Sequence, residues 1–417
     1  MVKYYVVRFE NGCGTLKTKI IAAVIIGVIV VAALGGFFLL KSNNDKNNEI
    51  NVIAAVNTEG SGIYIKSNID INTMFDFSTP IPTPIASGWV GKIMGTPGSA
   101  TIQHVQLLQL IDQMGLKSVA YNVNIYNPNT TDTVYLYTGI NNASLALNNK
   151  DVLSGGSLWQ PQFQIIIDTP SGSFKELALT NDLFPGHSCC VIAGNNGYLT
   201  SNEDQVVRFL AAYVHSVNWV NNALTEGMTD KSNADYVQLI DIAMDAVNAN
   251  APNSTITRAM IEEALYTVTY TYGGNLSKLT SDVANLSEQM VGLNQTSGVR
   301  LSDLGFDNGQ QFAGKFVVNT YLAKAVQLES QGPPEKSGKD NLSVAVISGD
   351  LHQLAIHVGV KLGFFSDYGL NVTLNGATNG PGVATAIQNG NSSLGLLGAP
   401  PITITVITGK LVTADSP

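Results

Sequence analysis

From residue 51 onward, short apolar runs alternate with stripes of helical period, the signature of an α/β sheet protein. Residues 52–56 and 63–66 read as strands. Between 99 and 114, Ile102, Val105, Leu108, Ile111 and Met114 recur three apart and put one apolar stripe on a helix. Ser201 and Asp204 have the spacing of a capping box, and the helix that follows, through Val220, turns Val206, Leu210, Val214 and Val217 inward. Helical periodicity also covers 233–248, 255–266, 276–294 and 309–328. Residues 331–341 break the pattern with a polar, charged stretch holding Gly332, Pro333 and Pro334, which reads as a linker. Beyond it the alternation restarts, with strands at 342–347, 370–374 and 393–397 and helices at 350–363 and 381–388. The stretch 342–417 is thin for an independent domain, so it is expected to complete a sheet begun elsewhere.

One run has no such alternation. Residues 20–40 carry no charge over 21 positions, long enough to cross a ~30 Å hydrocarbon layer as a helix. Lys3, Arg8, Lys17 and Lys19 precede it, whereas Lys41 and a polar Ser-Asn-Asn-Asp run follow. The positive-inside rule then leaves 1–19 in the cytoplasm and everything after the anchor outside. A cleaved signal peptide is the rival, but its apolar region would span about 7–15 residues and end at small side chains, whereas this one ends Phe-Phe-Leu-Leu-Lys. Residues 41–50 read as a polar tether. Sequons at Asn129, Asn142, Asn253, Asn275 and Asn341 agree with an outside location but weigh little in so Asn-rich a chain.

With 417 residues, 45% hydrophobic and 13% charged, the chain has room for one large two-lobed domain and a sizeable core. A net charge of -9, with no Lys/Arg run in the bulk of the chain, excludes a nucleic-acid partner from the expectations. Three cysteines are too few for a disulfide scaffold. Cys189 and Cys190 are adjacent, which strains any bridge between them, and they read as small buried residues at a strand end. No second Cys/His pair stands at zinc-ligand spacing, so neither a metal nor a cofactor is expected. There is no Gly-X-Ser-X-Gly elbow, Walker loop or His-Glu-X-X-His, and no residue is assigned a catalytic role.

Several motifs together carry a resemblance. The tail reads Gly349-Asp-Leu-His-Gln-Leu-Ala, Lys361-Leu-Gly-Phe-Phe-Ser-Asp-Tyr-Gly-Leu-Asn-Val, Asn379-Gly-Pro-Gly-Val-Ala and Leu397-Gly-Ala-Pro-Pro. Earlier come Asn57-Thr-Glu-Gly-Ser-Gly, Val90-Gly-Lys-Ile-Met-Gly-Thr-Pro-Gly-Ser-Ala-Thr-Ile-Gln-His, Leu158-Trp-Gln-Pro and Phe184-Pro-Gly-His-Ser-Cys-Cys. Over about 51–417 the chain resembles solute-binding proteins of the nitrate/sulfonate/taurine type, relatives of the thiamine-pyrimidine-precursor binders. The motif order departs from that family, because its beginning sits at this chain's end. A circular permutation accounts for this, with 331–341 joining the old termini; a misjoined pair of half proteins is the rival.

The resemblance implies an α/β chain of two-lobed periplasmic-binding-protein type II fold, and the apolar run at 20–40 puts a single transmembrane helix before it. The resemblance divides the chain into lobe I from 51–88 and 342–417, lobe II from 89–190, and a helical return onto lobe I over 191–330. Ligands in such folds lie in a cleft at the carboxyl ends of strands. Thr96, Gly98, Ser99, Ala100 and Thr101 are candidates because a helix start there offers free N–H groups to an anionic head group, although Ser99 or Thr101 as an ordinary N-cap explains the same residues. His352 and Gln353 open another helix, where a lone His is as readily a satisfied core residue. Gly398, Ala399 and Pro400 form a small-residue loop that lets backbone approach a ligand. Asn57, Thr58 and Ser61 offer short polar donors, Trp159 is a stacking wall or a core aromatic, and His187 is a weaker candidate.

The expected function is that of an extracytoplasmic solute-binding component of an ABC importer, not an enzyme. Its cargo would be a small ligand, anionic (sulfonate- or nitrate-like) or heterocyclic, and its partners permease and ATPase subunits in the membrane spanned by 20–40. A ligand-sensing ectodomain working with a signalling partner competes. So does a pyrimidine-synthase-like enzyme, of which His187, Cys189 and Cys190 are a faint echo.

Overall fold

A computed structural model describes residues 49–248, 256–335 and 338–412. The expected anchor 20–40, the segment 1–19 and nearly all of the tether 41–50 lie outside the described residues. Among the described residues no helix is long and apolar enough to cross a membrane.

The first seven strands of the two large sheets are β1 (Ile50–Glu59), β2 (Ser61–Lys66), β3 (Ile93–Thr96), β4 (Lys117–Ala120), β5 (Thr133–Thr138), β6 (Gly155–Trp159) and β7 (Phe174–Leu179). Then follow β8 (Ser188–Asn195), β9 (Val268–Tyr270), β10 (Asp340–Ile347), β11 (Leu370–Ala377) and β12 (Leu394–Gly398). The first sheet runs β9-β1-β8-β12-β10-β11 and the second β4-β5-β3-β6-β2-β7. One plan governs both. Three parallel strands lie side by side (β11-β10-β12 and β5-β3-β6), an antiparallel strand follows (β8 and β2), and a strand antiparallel to that one comes next (β1 and β7).

The antiparallel strand of each sheet arrives directly from the other sheet. β1 passes into β2 through Gly60, and β7 returns into β8 through residues 180–187. Two crossings thus join the sheets. Gly60 sits at φ +86°, and a Cβ there would lie 2.4 Å from His352 Nε2, so only glycine fits without a shift.

β1 shows why the first sheet is central. Ile50, Val52, Ile53, Ala54 and Val56 are all 0% exposed, the continuous apolar run of a strand covered on both faces. Each Val or Ile so buried contributes ~1.5–3 kcal/mol. The tail adds three strands to this same sheet, with β12 paired to β8 from Cys190↔Gly398 to Gly194↔Leu394. As its length suggested, it forms no domain of its own.

The helices that matter below are α1 (Ile102–Gln113), α2 (Glu203–Thr229), α3 (Ser277–Gly292), α4 (Leu354–Lys361) and α5 (Ala399–Gly409). Several expectations are corrected. No capping box forms at Ser201 and Asp204: Asn195 caps the short helix Asn196–Ser201, and Asp204 pairs with the buried Arg208 one turn on, at 3.0 Å. Arg208 also donates to the carbonyls of Tyr368 (2.9 Å) and Gly369 (3.0 Å) and meets Asp340, tying α2 to the edge of the first sheet. The single helix expected over 309–328 is two, Gly309–Phe316 and Thr320–Gln331. Between them Val317 bridges Val52 and Val318 N–H donates to Val52 O (2.8 Å), so β1 takes these β-branched residues out of the helix. The segment 61–66, expected to belong with β1, pairs instead with β6 and β7 of the second sheet. β8, through residue 195, belongs to the first.

Candidate functional site

α1 faces α3 and the start of α5 over a cavity of about 140 Å³. α1 is unusual in burying polar residues over its first two turns. Gln103 is satisfied by donating to Ser61 Oγ (2.9 Å), and His104 Nδ1 lies 3.0 Å from Thr96 Oγ1. Burial holds His104 neutral, its pKa pushed down to about 4. Gln106 is different: it lines the cavity, is 2% exposed, and neither Oε1 nor Nε2 has a hydrogen-bond partner.

His187 lines the opposite wall. Its Nδ1–H donates to Phe184 O (2.8 Å), which leaves Nε2 a buried acceptor without a partner. An unsatisfied buried amide or ring nitrogen costs ~1–3 kcal/mol, so these two side chains call for a molecule that supplies the missing bonds. Asn285 and Gln289 of α3 add further amides, and Gln109 reaches across from α1 to Gln289 at the rim. Asp282 also lines the cavity, but its charge is taken up. Ser188 donates to it from N (3.1 Å) and Oγ (2.5 Å), and Lys278 pairs with it at 2.6 Å. None of the described lining residues is Lys or Arg.

The expected site residues are placed unevenly. His187 and Ala399 line the cavity. Thr101, not Ser99, is the N-cap of α1, accepting from His104 N at 3.4 Å; Gly98, Ser99 and Ala100 precede the helix, and Ser99 is exposed. Gly398 is the N-cap of α5, so Gly398, Ala399 and Pro400 form a strand-to-helix turn and helix start, not a loop. Pro400 and Pro401 carry no N–H, which strips α5 of two of the first-turn donors an anion would use. Asn57 and Gln353 are staples of the first sheet. Asn57 accepts from Cys190 N (3.1 Å) and donates to Glu59 O (3.0 Å). Gln353 accepts from Ile347 N and donates to Leu396 O, each at 2.9 Å. Thr58 lies in the β1–β8–β9 ladder, Ser61 serves Gln103, and Trp159 is buried opposite Ser61 in the β2–β6 ladder.

His352 stands elsewhere, 2% exposed beneath Gly60 with the two cysteines. Its Nε2 lies 2.6 Å from Gly60 O, and its Nδ1 lies 3.7 Å from Cys189 Sγ, 3.9 Å from Cys190 Sγ and 3.3 Å from Asp350 Oδ1. Burial opposes a charge on His352, but the Asp350 carboxylate and the Cys189 sulfur outweigh it and lift its pKa to about 10. Burial raises Asp350 to about 6. The hydrogen bond between the thiols holds Cys189 low and Cys190 high, with His352 reinforcing the first.

Sequence reasoning missed Gln106 and this cluster. Gln106 had a signal: it follows Gln103 and His104 inside the apolar stripe of α1, where buried polar residues need a reason. The cluster had none along the chain, because 162 residues separate Cys190 from His352.

Fold and site together define a class: a mixed α/β chain built on two six-stranded sheets, with a cavity between α1, α3 and the start of α5. No family model and no curated protein matches the chain. Among solved structures it is similar to the ligand-binding component of an ABC-type import system from Staphylococcus aureus with zinc bound. Identity is 15% and the TM-score 0.38, over 66% of this chain and 74% of that one. A likeness of that size says nothing of ligand or chemistry.

Proposed function

We propose that this chain is the extracytoplasmic solute-binding component of an ABC importer, and that its cargo is a small uncharged molecule of single-ring size. The observation that carries the reading is the pair of unsatisfied groups on two residues that line one cavity, the Gln106 amide and His187 Nε2. The amide asks for one donor and one acceptor side by side, and the ring nitrogen asks for a donor. A heterocycle with an N–H/C=O edge and a second N–H supplies all three. The cavity of about 140 Å³ is close to the ~150 Å³ space that holds one benzene ring. A neutral cargo is favoured over an anion because none of the described lining residues is Lys or Arg and Pro400 and Pro401 lack N–H. The shared plan of the two sheets, crossed twice, supports closure of the lobes on a solute. The contribution of strands from both ends of the chain to one sheet supports the permuted order over a misjoined pair. Permease and ATPase partners and the anchor at 20–40 complete the proposal.

The test is thermal unfolding of the full chain against pyrimidines, other neutral heterocycles, sulfonates, nitrate and bicarbonate. Ligand at about a hundred times its Kd stabilises by about 2.7 kcal/mol. A shift with a heterocycle alone supports the reading. A shift with sulfonate or nitrate overturns the neutral cargo, and none with any compound overturns the capture of these solutes.

A further inference from the structure

A second site lies beneath Gly60, one residue along β8 from Ser188 of the cavity wall. The geometry points to a metal centre at Cys189, Cys190 and His352 that takes a thiophilic divalent cation of the zinc class. Three observations converge on it, and none depends on the solute reading.

The first is how the thiols come to face one way. Adjacent residues of a strand point to opposite faces. Here Asn57 pairs with Cys190 and Thr58 with Ser188, so Cys189 is the extra residue of a bulge between β1 and β8. The bulge brings both sulfurs to one side, 3.8 Å apart, as free thiols.

The second is the spacing. A tetrahedral ion with metal–sulfur bonds of ~2.3 Å and a metal–nitrogen bond of ~2.0–2.1 Å holds its sulfurs ~3.8 Å apart and each sulfur ~3.6 Å from the nitrogen. The structure has 3.8 Å between the sulfurs, and 3.7 and 3.9 Å from them to His352 Nδ1. All three edges of one tetrahedral face are therefore present before any ion arrives.

The third is the far side of the imidazole. Nε2–H donates to Gly60 O at 2.6 Å, so the ring keeps its proton there and Nδ1, the nitrogen that faces the sulfurs, is the one free to give up its proton to an ion. A backbone carbonyl in this place is the outer partner that metal-bound histidines require. The Asp350 carboxylate, 3.3 Å from Nδ1, adds negative charge beside the ion. On binding, the cluster of two sulfurs and Nδ1 gives up the protons it holds, and the cation takes two thiolates and one neutral imidazole.

The chain has three cysteines, so in a Cys13→Ser variant of the full chain any sulfur-to-metal charge transfer must arise from Cys189 and Cys190. Reduced protein is titrated with Co²⁺, then with Zn²⁺ as competitor. The expected result is one Co²⁺ per chain with a thiolate-to-cobalt absorption band, lost on adding Zn²⁺. Cys189→Ser, Cys190→Ser and His352→Asn should each weaken binding beyond the ~10–100-fold that loss of an outer partner costs. A Cys13→Ser protein that shows no such band overturns the proposal without any change to the cluster, so misfolding of the cluster variants cannot mask failure. A band that survives in either cysteine variant at full affinity overturns it as well. Solute capture is read separately by thermal shift, so failure of either reading leaves the other standing.

Discussion

Replacing Gln106 by leucine separates a binding residue from a structural one, because the two roles predict opposite changes in stability. Gln106 is 2% exposed and both of its amide atoms lack partners. Burying such a group unpaired costs ~1–3 kcal/mol, and a leucine of similar length removes that cost while keeping its contacts on α1. At the low end of that range, Gln106→Leu is expected to raise stability by about 1 kcal/mol. The same change should remove both hydrogen bonds to the cargo and weaken capture by at least ~10-fold, the equivalent of ~1.4 kcal/mol. Urea unfolding at constant slope reads the first quantity and calorimetric titration of the identified solute the second. A loss of stability of 1 kcal/mol or more refutes the reasoning, since it shows the amide to be paired in the free protein. So does an unchanged affinity.

Three further outcomes follow from the same geometry. Gly60→Ala should destabilise by ~2–5 kcal/mol, from ~1–2 of left-handed backbone strain and ~1–3 from displacing His352 off Gly60 O. Gly139→Ala, at φ +93° with nothing within 4 Å of the new Cβ, should show only the strain, and equal effects in urea would remove the clash from the account. His104 has a folded pKa near 4 against 6.5 unfolded, so its neutral ring contributes stability that is complete above about 6.5 and is lost as pH falls towards 4. That gap is worth about 3 kcal/mol, and His104→Gln should flatten the pH dependence of unfolding by that order; an unchanged profile counts against its burial as a neutral ring. Arg208→Met should cost ~2–4 kcal/mol, mostly from the buried carbonyls of Tyr368 and Gly369, since the Asp204 and Asp340 side chains are 71% and 55% exposed and solvent screens them. A urea midpoint within error of the wild type would place that network outside the folding energetics.

Much of the architecture was legible because it rests on local pattern. The apolar run of β1, the stripe of α1 and the restart of alternation after 331–341 are each properties of a few consecutive residues, and each found its element. Sheet membership was not legible. The segment 61–66 reads as a strand wherever it sits, and only the crossing at Gly60 decides that it pairs with β6 and β7. Likewise Val317 and Val318 continue a helical period until β1 offers them a backbone partner.

The site residues divide along a different line. A polar residue at a strand end or on an apolar helix face is readily recognised as buried, but burial alone does not say what it is buried for. Asn57 and Gln353 spend their amides on the first sheet's own backbone. Gln106, of the same chemistry and burial, spends its amide on nothing in the protein. What separates a staple from a ligand group is whether the fold brings a partner to it, and partners come from anywhere in the chain. Cys189 and Cys190 make the same point, since their third companion, His352, reaches them only because β8 and β10 belong to one sheet. Binding capacity is thus a remainder left once the fold has satisfied its own polar groups, and that remainder can be counted only in three dimensions.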